Sequence, residues 1–202
     1  MIFFVLNTFL VFELNEKFNF TYEHTCRIAS IVHALFCIAG STLYLTDRLT
    51  LEQVDPIINY NAIYITTDLM LYLTNSIKDK YKNVMIFHHI LFMIAIYISR
   101  NEPRFYFTAL LSETSNIFLN TRWFAINTNM INNVYAHTFM LWLTFLIFRV
   151  INLSYLSIQI YQSEFYYYSF ILAPFIVLNY VWFAILTKIL FVKKIKDNCK
   201  NE

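Results

Sequence analysis

Glycine is almost missing from this chain. Its 202 residues include 1 glycine, 3 prolines and 3 cysteines. So few breakers leave little means of making the turns and bulges of a strand-rich protein, and long uninterrupted helices are expected. Cys26, Cys37 and Cys199 have neither CxxC nor paired spacing, which indicates neither a zinc site nor a disulfide framework. No metal and no cofactor is expected. Charge is scarce as well, at 14% of residues against about 25% in a soluble domain. A net charge of +2 points to neither a nucleic-acid nor an acidic partner.

What fills the space is apolar: 58% hydrophobic and 19% aromatic residues, enough to make a soluble surface implausible over one domain-sized chain. Six apolar runs stand out, over residues 27–45, 57–76, 84–99, 105–120, 135–160 and 166–192. Each is read as a membrane span. The second is expected to start at Asp55-Pro56, since proline suits a first helical turn. Residues 1–12 are apolar but too short for an ordinary span of about 20 residues. They are read as a short seventh helix, spanning or interfacial. They lack a basic lead and a small-residue cleavage site, so a removable signal peptide is not expected. The fold class is therefore all-α: a polytopic membrane helical bundle of six spans around a central cavity. Residues 1–25 form the N-terminal segment, 26–192 the membrane domain and 193–202 a basic polar tail.

The basic residues are lopsided between the loops. Lys17, Arg27, Lys78, Lys80, Lys82, Arg122, Lys188, Lys193, Lys194, Lys196 and Lys200 fall on one side, with Arg122 read as a loop residue. Only Arg48, Arg100 and Arg104 fall on the other. The excess marks the cytoplasmic side and puts the C-terminus there.

Ionisable residues inside spans mark function by default. His33, Asp68, the pair His88-His89, and Glu113 lie about 8–12 Å from the cytoplasmic ends of four helices, by helix rise. One level on four helices suggests a shared polar cavity in the cytoplasmic half. Ser30, His33 and Cys37 recur on one face of the first span, and Glu113, Asn116 and Asn120 on one face of the fourth. Asn and Ser at such positions also serve as interhelical adhesive. His88 is expected to point inward, leaving His89 to pack or to hydrogen-bond across helices. Arg149 lies deeper, and a lone arginine there needs a carboxylate or a wet cavity. Glu113 or Asp68 is expected to pair with it. The functional alternative is an anion site for a lipid head group or an acyl-carrier phosphate.

These residues carry a resemblance. The stretch from Arg27 through Ser30 to His33-Ala34, Asp68, His88-His89, LLSETSNIFLNTRWF (110–124) and FLIFRVI (145–151) is similar to the TLC-domain family. That family includes ceramide synthases and TLC-domain-containing proteins, and the Ser-Glu segment is closest to the latter. The resemblance implies a multipass protein, usually of the endoplasmic reticulum, that binds a lipid or acyl chain and tunes membrane lipid composition. The alternative it implies is an acyl-CoA-dependent N-acyltransferase of ceramide-synthase type. His88 and His89 would then be catalytic with Glu113, while His33, Asp68, Asn116, Asn120 and Arg149 would bind. Ceramide synthases carry a further His-Asp and Asp in the next span; here that stretch reads Leu-Leu-Ser-Glu-Thr-Ser-Asn.

Overall fold

A computed structural model of the chain describes residues 22–74, 82–99, 102–128 and 133–198. The described part of each of the six apolar runs is largely helical, and no strand occurs among the described residues. The reading of residues 1–12 as a seventh helix lies outside the described residues, as do Lys17, Lys78, Lys80, Arg100 and Lys200.

The helices are α1 (Tyr22–Leu45), α2 (Leu51–Leu73), α3 (Lys82–Ser99), α4 (Pro103–Leu110), α5 (Thr114–Asn127), α6 (Val134–Phe145), α7 (Asn152–Tyr161) and α8 (Tyr168–Asn198). A 3₁₀ turn, Leu111–Glu113, separates α4 from α5, and a π-helical segment, Leu146–Ile151, separates α6 from α7.

Several boundaries differ from those the sequence implies. Helix α2 starts at Leu51, not beyond Pro56. Its start is set by Thr50, whose backbone N–H donates to the Gln53 side chain at 2.9 Å. That bond satisfies an amide the helix cannot, so the helix begins there and carries Pro56 inside it. Arg122 is not a loop residue. Helix α5 continues to Asn127, because Asn127 and Thr128 donate back to the Trp123 and Phe124 carbonyls. Helix α8 runs through the first part of the basic tail to Asn198.

Among the described residues three helices are long and apolar enough to cross a membrane: Glu23–Leu45, Val134–Tyr161 and Tyr168–Phe191; Lys82–Tyr97 is a shorter apolar helix. Helix α2, with Asp55, Asn59, Asn61 and Asp68, is more polar, as is the Ser-Glu-Thr-Ser-Asn stretch leading into α5. The burial pattern accounts for the polar content. Tyr97, Phe170 and Val177 are 78%, 72% and 62% exposed, whereas His33, Asn61, Arg149 and Asn179 are at most 4% exposed. Apolar side chains outside and polar ones inside suit lipid as the surrounding solvent. The chain is an all-α integral membrane protein.

Two units divide it, residues 1–110 and 111–202. In the first, α1 packs on α2 and α4, and α3 packs on the same two helices, closing a four-helix ring. The single glycine serves this ring. A Cβ on Gly40 would stand 3.0 Å from Ile57 Cδ1 and 3.2 Å from its Cγ2. Ala34, Cys37 and Ser41, all fully buried, lie on the same side of α1 and let its neighbours approach closely, as small residues do between membrane helices. In the second unit, α5 packs on α6, and α8 packs along α6, the π segment and α7. The α6–α8 contact is antiparallel: Trp142 meets Thr187 and Phe145 meets Phe183.

Candidate functional site

One stripe of α2 organises the polar residues of the first unit. Asn61, Tyr64, Asp68 and Tyr72 recur at spacings of three or four residues, so they share a helix face over about 16 Å of rise. Each rung reaches another helix. The Asn61 amide donates to the Tyr106 hydroxyl of α4 at 2.5 Å. The Tyr64 ring lies flat on His33 of α1, centroids 3.6 Å apart and planes 7° apart. Asp68 meets His89 of α3, and the Tyr72 ring is tilted against the same histidine at 5.6 Å.

His89 is held from both sides. Its Nδ1 donates to the Met85 carbonyl one turn earlier at 2.7 Å. Its Nε2 is 2.7 Å from Asp68 Oδ2. The carbonyl can only accept, so Nδ1 carries hydrogen. A second proton must lie between Nε2 and the carboxylate, since two bare lone pairs would repel at that distance. The pair is therefore an oriented acid–base couple with one shared proton. His88 stands edge-on to it, rings 5.5 Å apart at 88°, and touches Phe92. Both histidines are buried. The cross-helix bond belongs to His89, and the carboxylate that orients it is Asp68.

His33 lies one turn of α2 away from this couple, at the Tyr64 rung. Cys37 Sγ is 3.4 Å from its Nε2. Tyr60 is tilted against it at 5.6 Å. Both the histidine and the thiol are fully buried.

In the second unit the focus is Arg149. Its Nε donates to Ser115 Oγ at 2.6 Å and, more weakly, to the Ser112 carbonyl at 3.3 Å. Its Nη2 donates to Asn116 Oδ1 at 2.8 Å and is 3.9 Å from Glu113 Oε1. The Asn116 amide donates to the other Glu113 oxygen at 2.5 Å. The ion pair expected for Arg149 is thus with Glu113, but the close bonds are to neutral groups. The Phe145 ring covers the guanidinium carbon at 5.3 Å. Backbone geometry makes this possible. The 3₁₀ turn carries the Ser112 carbonyl that accepts from Arg149, and the π segment that carries Arg149 packs against that turn. Asn120 serves the helix itself, its amide donating to the Asn116 carbonyl at 2.7 Å.

The structure therefore brings His33, Asp68, His88 and His89 onto or beside one stripe of α2. Glu113, Asn116 and Arg149 form a network within the second unit. Sequence reasoning missed Asn61, Tyr64, Tyr72, Tyr106 and Ser115. The three on α2, Asn61, Tyr64 and Tyr72, carried a signal, since their spacing around Asp68 matches a helical face. Among the described residues, no group of three or more His, Cys, Asp or Glu could hold a metal ion.

The family model for the TLC domain matches residues 3–195. No curated protein and no solved structure matches the chain.

Proposed function

Since the chain belongs to the TLC-domain family, we propose that it binds a lipid or acyl chain and shifts the lipid composition of its membrane. The Asp68–His89 couple carries the reading. Holding a carboxylate and an imidazole inside membrane helices is costly, and Ser or Asn would serve as adhesive at less cost. A ring fixed at both nitrogens beside a second histidine has instead the form of a positioned acid–base group. The molecules able to reach it from the surrounding bilayer are lipids. The His88-His89 pair also favours a second reading, acyl transfer from acyl-CoA to a long-chain amine. A histidine would take the amine proton as nitrogen attacks the thioester carbonyl, and the proton would leave with the departing thiolate. The C-terminus is assigned to the cytoplasm and the protein to the endoplasmic reticulum. The support is the basic bias of one set of loops and the usual home of the family.

Lipid extracts test the reading. Cells expressing the wild type should differ in lipid profile from cells expressing His89→Ala or Asp68→Asn at equal abundance. Identical profiles in all three would overturn it. For acyl transfer, membranes given labelled acyl-CoA and a long-chain amine should form labelled amide with the wild type and not with His88→Ala or His89→Ala.

A further inference from the structure

The α5–α6 hairpin carries two adjacent cross-helix bonds near its loop. Arg122 Nε donates to Thr138 Oγ1 at 2.9 Å. Thr121 Oγ1 and His137 Nδ1 are 3.0 Å apart. Each threonine anchors one basic side chain of the opposite helix. The Thr138 hydroxyl proton is committed to the Val134 carbonyl at 2.8 Å, so Thr138 accepts from Arg122 without competition. The Thr121 hydroxyl has a choice between His137 at 3.0 Å and the Phe118 carbonyl at 3.4 Å. In the tautomer where the shorter bond runs from the Thr121 hydroxyl to Nδ1, the imidazole hydrogen is on Nε2.

The donors left over are all of one kind. Arg122 keeps both Nη groups, and His137 keeps Nε2–H. Among the described residues no carboxylate is within ion-pair distance of Arg122, unlike Arg149. Both side chains are half-buried rather than enclosed. The site also sits at a fixed height. Arg122 is five residues before the end of α5 and His137 three residues after the start of α6, so both lie about 5–8 Å from the hairpin loop. Trp123 follows Arg122, the residue type that settles at the head-group level. The antiparallel packing of α8 on α6 brings the chain end bearing Lys193, Lys194 and Lys196 in its sequence to this same end of the unit.

The geometry points to a phosphate-binding site at this hairpin, formed by the Arg122 fork and His137 Nε2–H, whose occupant is the head group of an anionic phospholipid. A guanidinium anchored through Nε offers its two Nη groups side by side, the arrangement that fits two oxygens of one phosphate. Basic pockets between spans at the basic face of a membrane protein take such head groups. The site is independent of the Asp68–His89 reading, because binding is measured on the purified protein and needs no turnover.

The test uses full-length protein in mild detergent, with native mass spectrometry to follow retained lipid. Phosphatidylglycerol should bind the wild type about tenfold more tightly than it binds Arg122→Gln, the ratio expected for loss of about 1.4 kcal/mol. Diacylglycerol, which lacks the phosphate, should show no dependence on Arg122. Thr138→Val keeps the charge, removes the anchor and should lose affinity severalfold; it carries the test if Arg122→Gln does not fold. Inorganic phosphate at millimolar concentration distinguishes the sources. If it leaves phosphatidylglycerol in place, the occupant is a lipid; if it displaces the lipid from wild type, the site serves free phosphate by the same contacts. Equal phosphatidylglycerol affinity in the wild type and every folded variant would overturn the assignment.

Discussion

Replacing Glu113 by Gln removes one charge from the Arg149 network and changes little else in shape. The carboxylate oxygen is 3.9 Å from Nη2, with the two side chains 7% and 4% exposed. At an effective dielectric of about 20 the charge–charge term over that distance is about 4 kcal/mol, within the range of about 3–5 kcal/mol for breaking a buried pair. The neutral bonds to Ser115 and Asn116 remain and do not compensate, because they are already made in the wild type. Ser115→Ala should cost less, about 1.5 kcal/mol, since the Ser112 carbonyl 3.3 Å from Nε can take the donor over. Unfolding of purified protein in mixed micelles, followed by tryptophan fluorescence, gives both values. The cycle with Arg149→Met isolates the pair: the double variant should be more stable than Glu113→Gln alone, because no unpaired cation is left buried. A loss below about 0.5 kcal/mol for Glu113→Gln, or strict additivity in the cycle, would refute the ion-pair account and leave Arg149 held by neutral groups.

Gly40→Leu should destabilise the first unit by about 1–3 kcal/mol through overpacking against Ile57, and Ile57→Ala should restore most of the loss in thermal melts. An unrescued loss would mean that the glycine serves something other than this contact. Tyr106→Phe strands the Asn61 amide and should cost about 1 kcal/mol, in the range for hydrogen bonds between membrane helices; an Asn61→Leu/Tyr106→Phe double variant no worse than either single one would confirm that they act as one unit. A glycosylation acceptor added after Glu202 should stay unmodified in cells, and its modification would reverse the assigned orientation.

The six helical runs were legible because an apolar run of span length has few other uses. Their ends were less so. Pro56 looked like a start signal, but Thr50 and Gln53 satisfy the free amides five residues earlier. Arg122 looked like a loop residue because its neighbours are polar, yet those neighbours bond within the helix or across to α6. The candidate site was legible in height and not in direction. Depth along each span placed His33, Asp68, His88, His89 and Glu113 at one level, but says nothing of which way each faces. Asp68 and Glu113 were both available to Arg149 on that argument, and only the packing sends Asp68 to His89. The tyrosines went unseen because a composition count treats them as apolar. Tyr64 and Tyr106 act here through a ring face and a hydroxyl.

A π turn is an α-helix holding one residue more than its turn requires. Between Leu146 and Ile151 that surplus sets the phase of everything on either side. Without it, the residues that follow would be rotated by about 100° relative to Trp142 and Phe145. The helix meets α8 through Trp142 and Phe145 before that segment and α5 through Arg149 within it. The extra residue is the tolerance that lets one helix obey two neighbours at once. A chain with so little glycine and proline has placed that tolerance in the count of residues rather than in their kind.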